Sequence, residues 1–135
     1  MSLLKTIPPD QAVGGMKRIY DSFSNTLGTV PPPLVASSTS PVLQALLASC
    51  LIYYNEHRTL SQKLIAHIRF STAVLFKLPS CIQMGRMSLL SEGVDENRIR
   101  LLEKDPGSAD LREKEKDIFL FVLKALRDPD DVSQE

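Results

Sequence analysis

The chain lacks several features that mark common classes of protein. It has no tryptophan and only two cysteines, Cys50 and Cys81, which do not make a disulfide framework. Its 16 Lys and Arg residues are balanced by 16 Asp and Glu residues, which removes the electrostatic argument for binding nucleic acid. Its longest apolar stretch, from Leu46 to Tyr54, is interrupted by Ser49 and is too short to cross a bilayer. The composition therefore predicts a protein that binds neither nucleic acid nor membrane.

The N-terminal residues also lack the apolar segment of a secretory signal, because Met1–Lys5 is followed closely by Pro8-Pro9. A length of 135 residues suits one domain with a core of ordinary size. We therefore expect a single helical domain over residues 1–135, located in the cytoplasm.

Apolar residues recur at helical spacing along most of the chain, and no run of period-2 alternation is flanked by turn residues. The sequence therefore predicts an all-α bundle of about six helices. The predicted segments are a helix capped by Asp10 and stopped by Gly28, a short turn near Leu34–Ala36, a helix from Ser40-Pro41 to about His57, a helix from Thr59 or Ser61 to Pro79, a short helix with Cys81 that stops at Gly93, one over Val94–Leu102, and one from Ser108 or Asp110 to about Arg127.

The last predicted helix contains a segment, Ile118–Leu123, that is apolar around its whole circumference. Such a segment needs more than one neighbour to cover it. Either an enclosed position within the chain or a contact between subunits would provide that cover, and we favour the subunit contact. The expected assembly is a homo-oligomer.

Cys81 is the candidate reactive residue of the sequence. With Leu78 or Ser80 at the helix cap, Cys81 falls in the first turn, where free backbone N–H groups favour a thiolate. The alternative is an inert thiol packed beside Ile82 and Met84, since free cysteine is among the most buried residue types. Cys50 lies within an apolar helical stripe and is predicted to be a core residue.

The two histidines do not suggest a metal centre. His57 falls at the end of a predicted helix, where a cation suits the helix dipole. His67 is interpreted as a hydrogen-bonded surface or boundary residue, although it could face a pocket. No pair or trio of His, Cys and carboxylate residues has metal-ligand spacing, so neither a metal nor another cofactor is predicted.

A set of short segments follows one another along nearly the whole chain. They are Ile19–Asp21, Leu27–Pro32, Ser40–Leu43, Leu60–Ala66, Cys81 with Gly93 twelve residues on, the Asp105-Pro106 turn, the apolar last helix, and Asp128–Val132. In this order, the segments resemble the alkylhydroperoxidase D / carboxymuconolactone decarboxylase family.

The resemblance implies an all-α fold, assembly into trimers or hexamers, and a redox helix near the subunit contacts. Peroxidase members use a Cys-x-x-Cys pair, a His four residues after the second Cys, and a Glu on the preceding helix. With Gly93 as the anchor, Cys81 takes the second cysteine position and Leu78 takes the first. The histidine position falls on Gly85, and the acid falls on Ala66 or, with an insertion, on Lys63. Of the four functional residues, Cys81 alone carries over.

The resemblance therefore implies a divergent antioxidant-type protein whose thiol chemistry, if it is active, depends on Cys81, with a peroxide or another small molecule as ligand. The alternative is a non-catalytic oligomeric binding or scaffold protein on the same fold, and a lyase of the decarboxylase branch is a third possibility. On this register, Gly85→His should help the fold by somewhat less than ~1 kcal/mol unless the new side chain clashes.

Overall fold

The computed structural model describes residues 5–56 and 59–132. These residues form seven α-helices and no strand, which confirms the all-α prediction and adds one helix to the expected six. The helices are α1 (Gly14–Leu27), α2 (Pro32–Ala36), α3 (Pro41–Glu56), α4 (Gln62–Leu75), α5 (Pro79–Ser91), α6 (Glu96–Lys104) and α7 (Glu113–Arg127), with 3-10 turns at Pro9–Gln11, Pro106–Ser108 and Pro129–Asp131.

The chain divides into two compact units, Met1–His57 and Arg58–Glu135. The first contains α1, α2 and α3, and the second contains α4 to α7. Each unit has its own cluster of buried apolar side chains. A single domain over the whole chain stays a prediction.

In the first unit, the backbone carbonyl of Leu34 joins three elements. It accepts hydrogen bonds from the Tyr20 hydroxyl of α1 at 3.4 Å, from the Ser37 hydroxyl at 3.2 Å and from the Gln44 amide of α3 at 3.1 Å. All four residues are buried, and a buried polar group is stable when it is hydrogen-bonded. This carbonyl therefore fixes the short helix α2 between its two longer neighbours.

The first helix starts later than Asp10 predicts. Asp10 lies within the Pro9–Gln11 turn, and the backbone then runs extended through Ala12 and Val13 before α1 begins at Gly14. No side chain caps α1, because this extended stretch separates Asp10 from the first helical amides. The predicted end is confirmed, since Gly28 adopts a left-handed conformation with φ of +72°.

The helix α3 begins as predicted, with Pro41 in its first turn and the Ser40 hydroxyl accepting from the Leu43 amide at 3.4 Å. The helix extends at least to Glu56, and His57, where we predicted its end, lies outside the described residues. The prediction that Cys50 is a core residue is wrong, because its side chain is exposed. α3 is apolar on both sides, so the sequence pattern did not indicate which side would be buried.

In the second unit, α4 packs mainly on α5 and α7 around a core that includes Phe70, Leu89 and Phe119. The helix α4 starts after Ser61, as predicted, and α5 starts at Pro79. Gly93 ends α5 as predicted, with φ of +78° just beyond the helix.

The last two helices start later than predicted. Asp95 caps α6, since its Oδ1 accepts from the Asn97 and Arg98 amides at 2.9 and 3.1 Å. α7 begins at Glu113 rather than near Asp110, because a 3-10 turn follows Asp105 and the backbone is still extended at Arg112. Its predicted end at Arg127 is confirmed.

Candidate functional site

A tight turn between α4 and α5 positions the candidate residue Cys81. The Leu78 amide donates to the Ala73 carbonyl at 2.9 Å and the Lys77 amide donates to the Val74 carbonyl at 3.1 Å. Lys77 has a φ of +54°, the left-handed conformation with which helices commonly end. The chain therefore reverses into α5 within a few residues, and Leu78 becomes the N-cap of that helix.

Cys81 is the third residue of α5 and lies in the first turn, as predicted. Its side chain is exposed and its thiol is free, so it is not packed into a core beside Ile82. Among the described residues, no side chain caps the N-terminus of α5, so its free first-turn N–H groups lack a capping acceptor there. This arrangement makes Cys81 an accessible thiol at the positive end of a helix dipole.

The other positions that the family pattern assigns carry no second thiol, no histidine and no carboxylate. Leu78 is exposed at the N-cap, and Ala66 is buried in α4. The Nζ atom of Lys63 lies 2.7 Å from Oδ2 of Asp110, in an ion pair. At Gly85, a Cβ atom would lie only 2.9 Å from the Cα atom of Phe70. The exception attached to Gly85→His therefore applies: an added side chain would clash with the backbone of Phe70, so no gain in stability is expected.

A separate open depression of about 420 Å³ lies where α4 and α7 begin. Its lining residues are Ser61, Lys63, Asp110, Leu111, Arg112 and Glu115. Cys81 is not among them, so the structure does not bring the candidate thiol into this depression.

Three ion pairs hold the charged side chains of the depression. Oε1 of Glu115 accepts from the Ser61 hydroxyl at 2.6 Å, and the Arg112 guanidinium donates to both Glu115 oxygens at 3.1 and 3.2 Å. Asp110 accepts from Lys63 and from Arg98 of α6. Because each charged lining residue already has a partner of opposite sign, the arrangement is typical of a structural tie between helices.

These contacts favour the charged forms of both carboxyl groups. Hydrogen bonds from Arg112 and then from Ser61 lower the pKa of Glu115 to about 2. The hydrogen bond from Lys63 lowers the pKa of Asp110 below its ordinary value, and the positive charge of Arg98 adds to that effect. Both carboxylates therefore stay ionised well into the acidic range.

His67 follows Lys63 of this network by one helical turn, and its side chain is buried. Its side chain is 0 % exposed, so the prediction of a surface or boundary residue is wrong. The ring packs edge-on against Phe119 of α7, with centroids 6.0 Å apart. The sequence held one signal for this burial, since His67 shares a helix face with Leu64 three residues before it.

The ties between α4 and α7 have no signal in the sequence. Ser61 and Glu115 are separated by 54 positions, and Lys63 and Asp110 by 47. Charge pairs are predictable at a spacing of three or four residues on one helix, and these pairs depend on how two distant helices pack.

Within residues 5–56 and 59–132, no group of three or more His, Cys, Asp or Glu side chains is close enough to hold a metal ion. None of the helices described there is long and apolar enough to span a membrane. Comparisons with models of protein families, with curated proteins and with solved structures find no match to this chain.

Proposed function

We propose that this chain is a divergent member of the alkylhydroperoxidase D type of helical fold, with single-thiol antioxidant chemistry at Cys81. The observation that carries the proposal is the exposed thiol in the uncapped first turn of α5. An all-α chain in which one helix hairpin presents a cysteine, and in which Gly93 ends the second helix, is compatible with the resemblance in sequence.

The proposed chemistry uses one protein thiol and an external reductant. The Cys81 thiolate attacks one peroxide oxygen, the O–O bond breaks, and the other oxygen leaves as hydroxide or alkoxide, which takes up from solvent the proton that the thiol released when it ionised. The sulfur becomes a sulfenic acid. An added small thiol then condenses with the sulfenic acid and releases water, and a second small thiol reduces the mixed disulfide. This cycle needs no resolving cysteine within the chain, so it is compatible with the leucine at position 78.

The chain contains a matched control for the reactivity of Cys81. Cys50 is also free and exposed, but it lies in the middle of α3, away from a helix N-terminus. We expect Cys81 to react with iodoacetamide at least several-fold faster than Cys50 at pH 7, because Cys81 lies at the start of α5, where the positive end of the helix dipole stabilises negative charge that develops on the sulfur during the reaction. Mass spectrometry of the labelled peptides measures both rates in the same sample.

Peroxide consumption with a small monothiol as reductant tests the function itself. Wild type and Cys50→Ser should consume peroxide equally, and Cys81→Ser should fall to the background rate. Equal labelling of both cysteines, or turnover that survives Cys81→Ser, would contradict the proposal.

A non-catalytic oligomeric scaffold is the second candidate, and the residues at two positions of the family pattern favour it. The position that the family pattern gives to a histidine is held by Gly85, against the Phe70 backbone, and Ala66 offers no carboxylate. An unreactive Cys81 with an intact oligomer would support this candidate.

Two uncovered apolar faces support self-association under either candidate. On α3, the exposed face includes Val42, Leu46 and Tyr53, each of which is more than half exposed, and Ser49 is its polar member. On α7, Phe119 is buried, whereas Phe121 is 57 % exposed. Large exposed apolar patches on a protein commonly mark interaction sites. We propose a second copy of the chain as the partner, since no charged residue interrupts the α3 face from Val42 to Tyr53.

A further inference from the structure

His67 is a titratable side chain enclosed in the core of the second unit. It lies on α4 and is 0 % exposed. Phe119 of α7 covers it, with the two ring planes at 81°. An ionisable group in such a position loses the hydration that stabilises its charged form.

The hydrogen bonds of the ring accommodate the neutral form alone. Nδ1 lies 2.7 Å from the Lys63 carbonyl oxygen, so Nδ1 carries the proton and donates it to that oxygen. Nε2 is buried and has no hydrogen-bond partner among the described residues. A proton added to Nε2 would create a buried cation with an unsatisfied N–H, which is costly in a protein interior.

The charged groups around the ring come from three parts of the second unit. Lys63 on α4 opposes a positive charge on His67, whereas Asp110 and Glu115, before and within α7, favour it. Arg98 of α6 is hydrogen-bonded to Asp110, and it is through Asp110 that Arg98 is connected to the surroundings of His67. Burial outweighs these charges and lowers the pKa of His67 below its ordinary value of 6.5.

Two further charged residues lie on α4 and α5. Arg69 lies two positions along α4, and residues so spaced do not share a helix face. Arg86, the one charged residue of α5, forms an ion pair with Glu96 of α6. Neither carboxylate that favours the imidazolium is hydrogen-bonded to the ring, since each has a cationic partner of its own.

We propose that His67 makes the docking of α7 on α4 sensitive to mild acid. The ring stays neutral while α7 covers it and accepts a proton once α7 has moved away. Acidification then favours the state in which α7 is released and Phe119 is uncovered. This inference concerns the second unit alone and does not depend on the chemistry of Cys81.

The direction and the window of the effect follow from proton linkage. The folded state binds fewer protons at His67 than the open state does, so the stability that the neutral ring provides is complete above the open-state pKa of about 6.5. It is lost as the pH falls through that value toward the lower folded pKa. One proton changes the opening equilibrium by at most about tenfold per pH unit.

The carboxylates of the α4–α7 network do not titrate in the same window. The pKa of Glu115 is about 2, and that of Asp110 is lowered as well. Between about pH 6.5 and 4.5 their ion pairs therefore persist, and a loss of protection in α7 reports on the histidine.

Hydrogen exchange of the full chain at pH 7.5 and 5.0, corrected for intrinsic exchange rates, tests the proposal. Peptides from α7 should lose protection at pH 5.0 by roughly tenfold, and peptides from α1 serve as an internal reference. His67→Phe keeps an aromatic ring against Phe119 but cannot titrate, and His67→Gln supplies a second neutral variant. His57→Gln, which replaces the other histidine of the chain, is the matched control.

We expect the pH dependence of α7 protection to disappear in both His67 variants and to persist in His57→Gln. A merely structural role would shift protection at both pH values and leave the pH dependence in place, which would overturn the proposal. If neither His67 variant folds, an NMR titration of the wild-type ring decides. An imidazole that titrates near 6.5 in the folded protein would also overturn the proposal, whereas one that stays neutral until α7 opens would support it.

Discussion

The absence of a side chain at Gly85 sets how closely α4 and α5 approach each other. A Cβ atom built there would lie 2.9 Å from the Cα atom, 3.1 Å from the Cβ atom and 3.2 Å from the N atom of Phe70. The first and third of these atoms belong to the backbone and cannot rotate away. Close helix contact therefore requires glycine at this position.

We predict that Gly85→Ala destabilises the second unit by about 1–3 kcal/mol, the usual cost of overpacking a well-filled core. The better helix propensity of alanine offsets at most ~1 kcal/mol of the strain. Urea unfolding followed by circular dichroism measures the difference.

Gly15→Ala is the matched control for that substitution. Gly15 also lies in a helix, but its Cβ would meet only the end of the Arg18 side chain at 3.8 Å. This variant should be neutral or stabilised by up to ~1 kcal/mol. Equal effects of the two substitutions would show that propensity, and not the contact with Phe70, governs both sites.

Burial was the property of single residues that the sequence predicted least well. Cys50 was expected in the core and is exposed, and His67 was expected near the surface and is enclosed. Both lie within helices that were recognised correctly. Periodicity shows that a helix has an apolar face, but α3 is apolar on both sides, and the choice between them depends on tertiary packing.

Among the helices, α4 depends on Ser61 in two ways. The Ser61 hydroxyl accepts from the Leu64 amide at 3.1 Å, which caps the helix, and it donates to Glu115 of α7 at 2.6 Å. One oxygen atom therefore caps the N-terminus of α4 and also links this helix to α7.

We predict that Ser61→Ala destabilises the second unit by about 1–2 kcal/mol, toward the upper end of the range for lost N-caps, because the tie to Glu115 is lost as well. Ser61→Thr, which keeps the hydroxyl, should recover most of the loss. Urea unfolding of the three proteins at pH 7 makes the comparison, and a threonine variant as unstable as the alanine variant would contradict it.

Glu115 should contribute to the acid limit of stability of the same unit. Its pKa is lowered from 4.5 to about 2, so the stability it provides is complete above about pH 4.5 and is lost as the pH falls toward 2. We predict that Glu115→Gln makes unfolding less dependent on pH in that range. Thermal unfolding between pH 5 and pH 2 tests this, and an unchanged slope would show that the carboxylate has no such role.

The ends of the helices were predictable where one residue carries the signal. Gly28 and Gly93 adopt the left-handed conformations that end helices, and Pro41 and Pro79 lie at helix starts. The predicted start at Asp10 failed because an extended segment follows the Pro9–Gln11 turn. The position of such an extended segment depends on how the chain packs, and no single residue in the sequence predicts it.

For the whole molecule, the exposed apolar faces of α3 and α7 are the strongest physical reason to expect an assembly. Leu46 is 61 % exposed and Phe121 is 57 % exposed. Fully burying one such side chain is worth about 1.5–3 kcal/mol, so a face of several residues can drive association. The sequence had drawn attention to the α7 segment, and the exposure of the α3 face emerged only from the fold.

We predict a mass several times the 15.0 kDa of the chain in size-exclusion chromatography with light scattering, with a trimer or a dimer of trimers as the expected state. Leu46→Glu or Phe121→Glu should reduce this mass at micromolar concentration, because each places a charge on an apolar face that has to be desolvated on association. Thr26→Glu, at an exposed position of α1, is the matched control and should leave the mass unchanged. A monomeric wild type would contradict the assembly itself. An oligomer that survives both charged substitutions would show that subunits associate through other surfaces, and the apolar faces of α3 and α7 would then need a different partner.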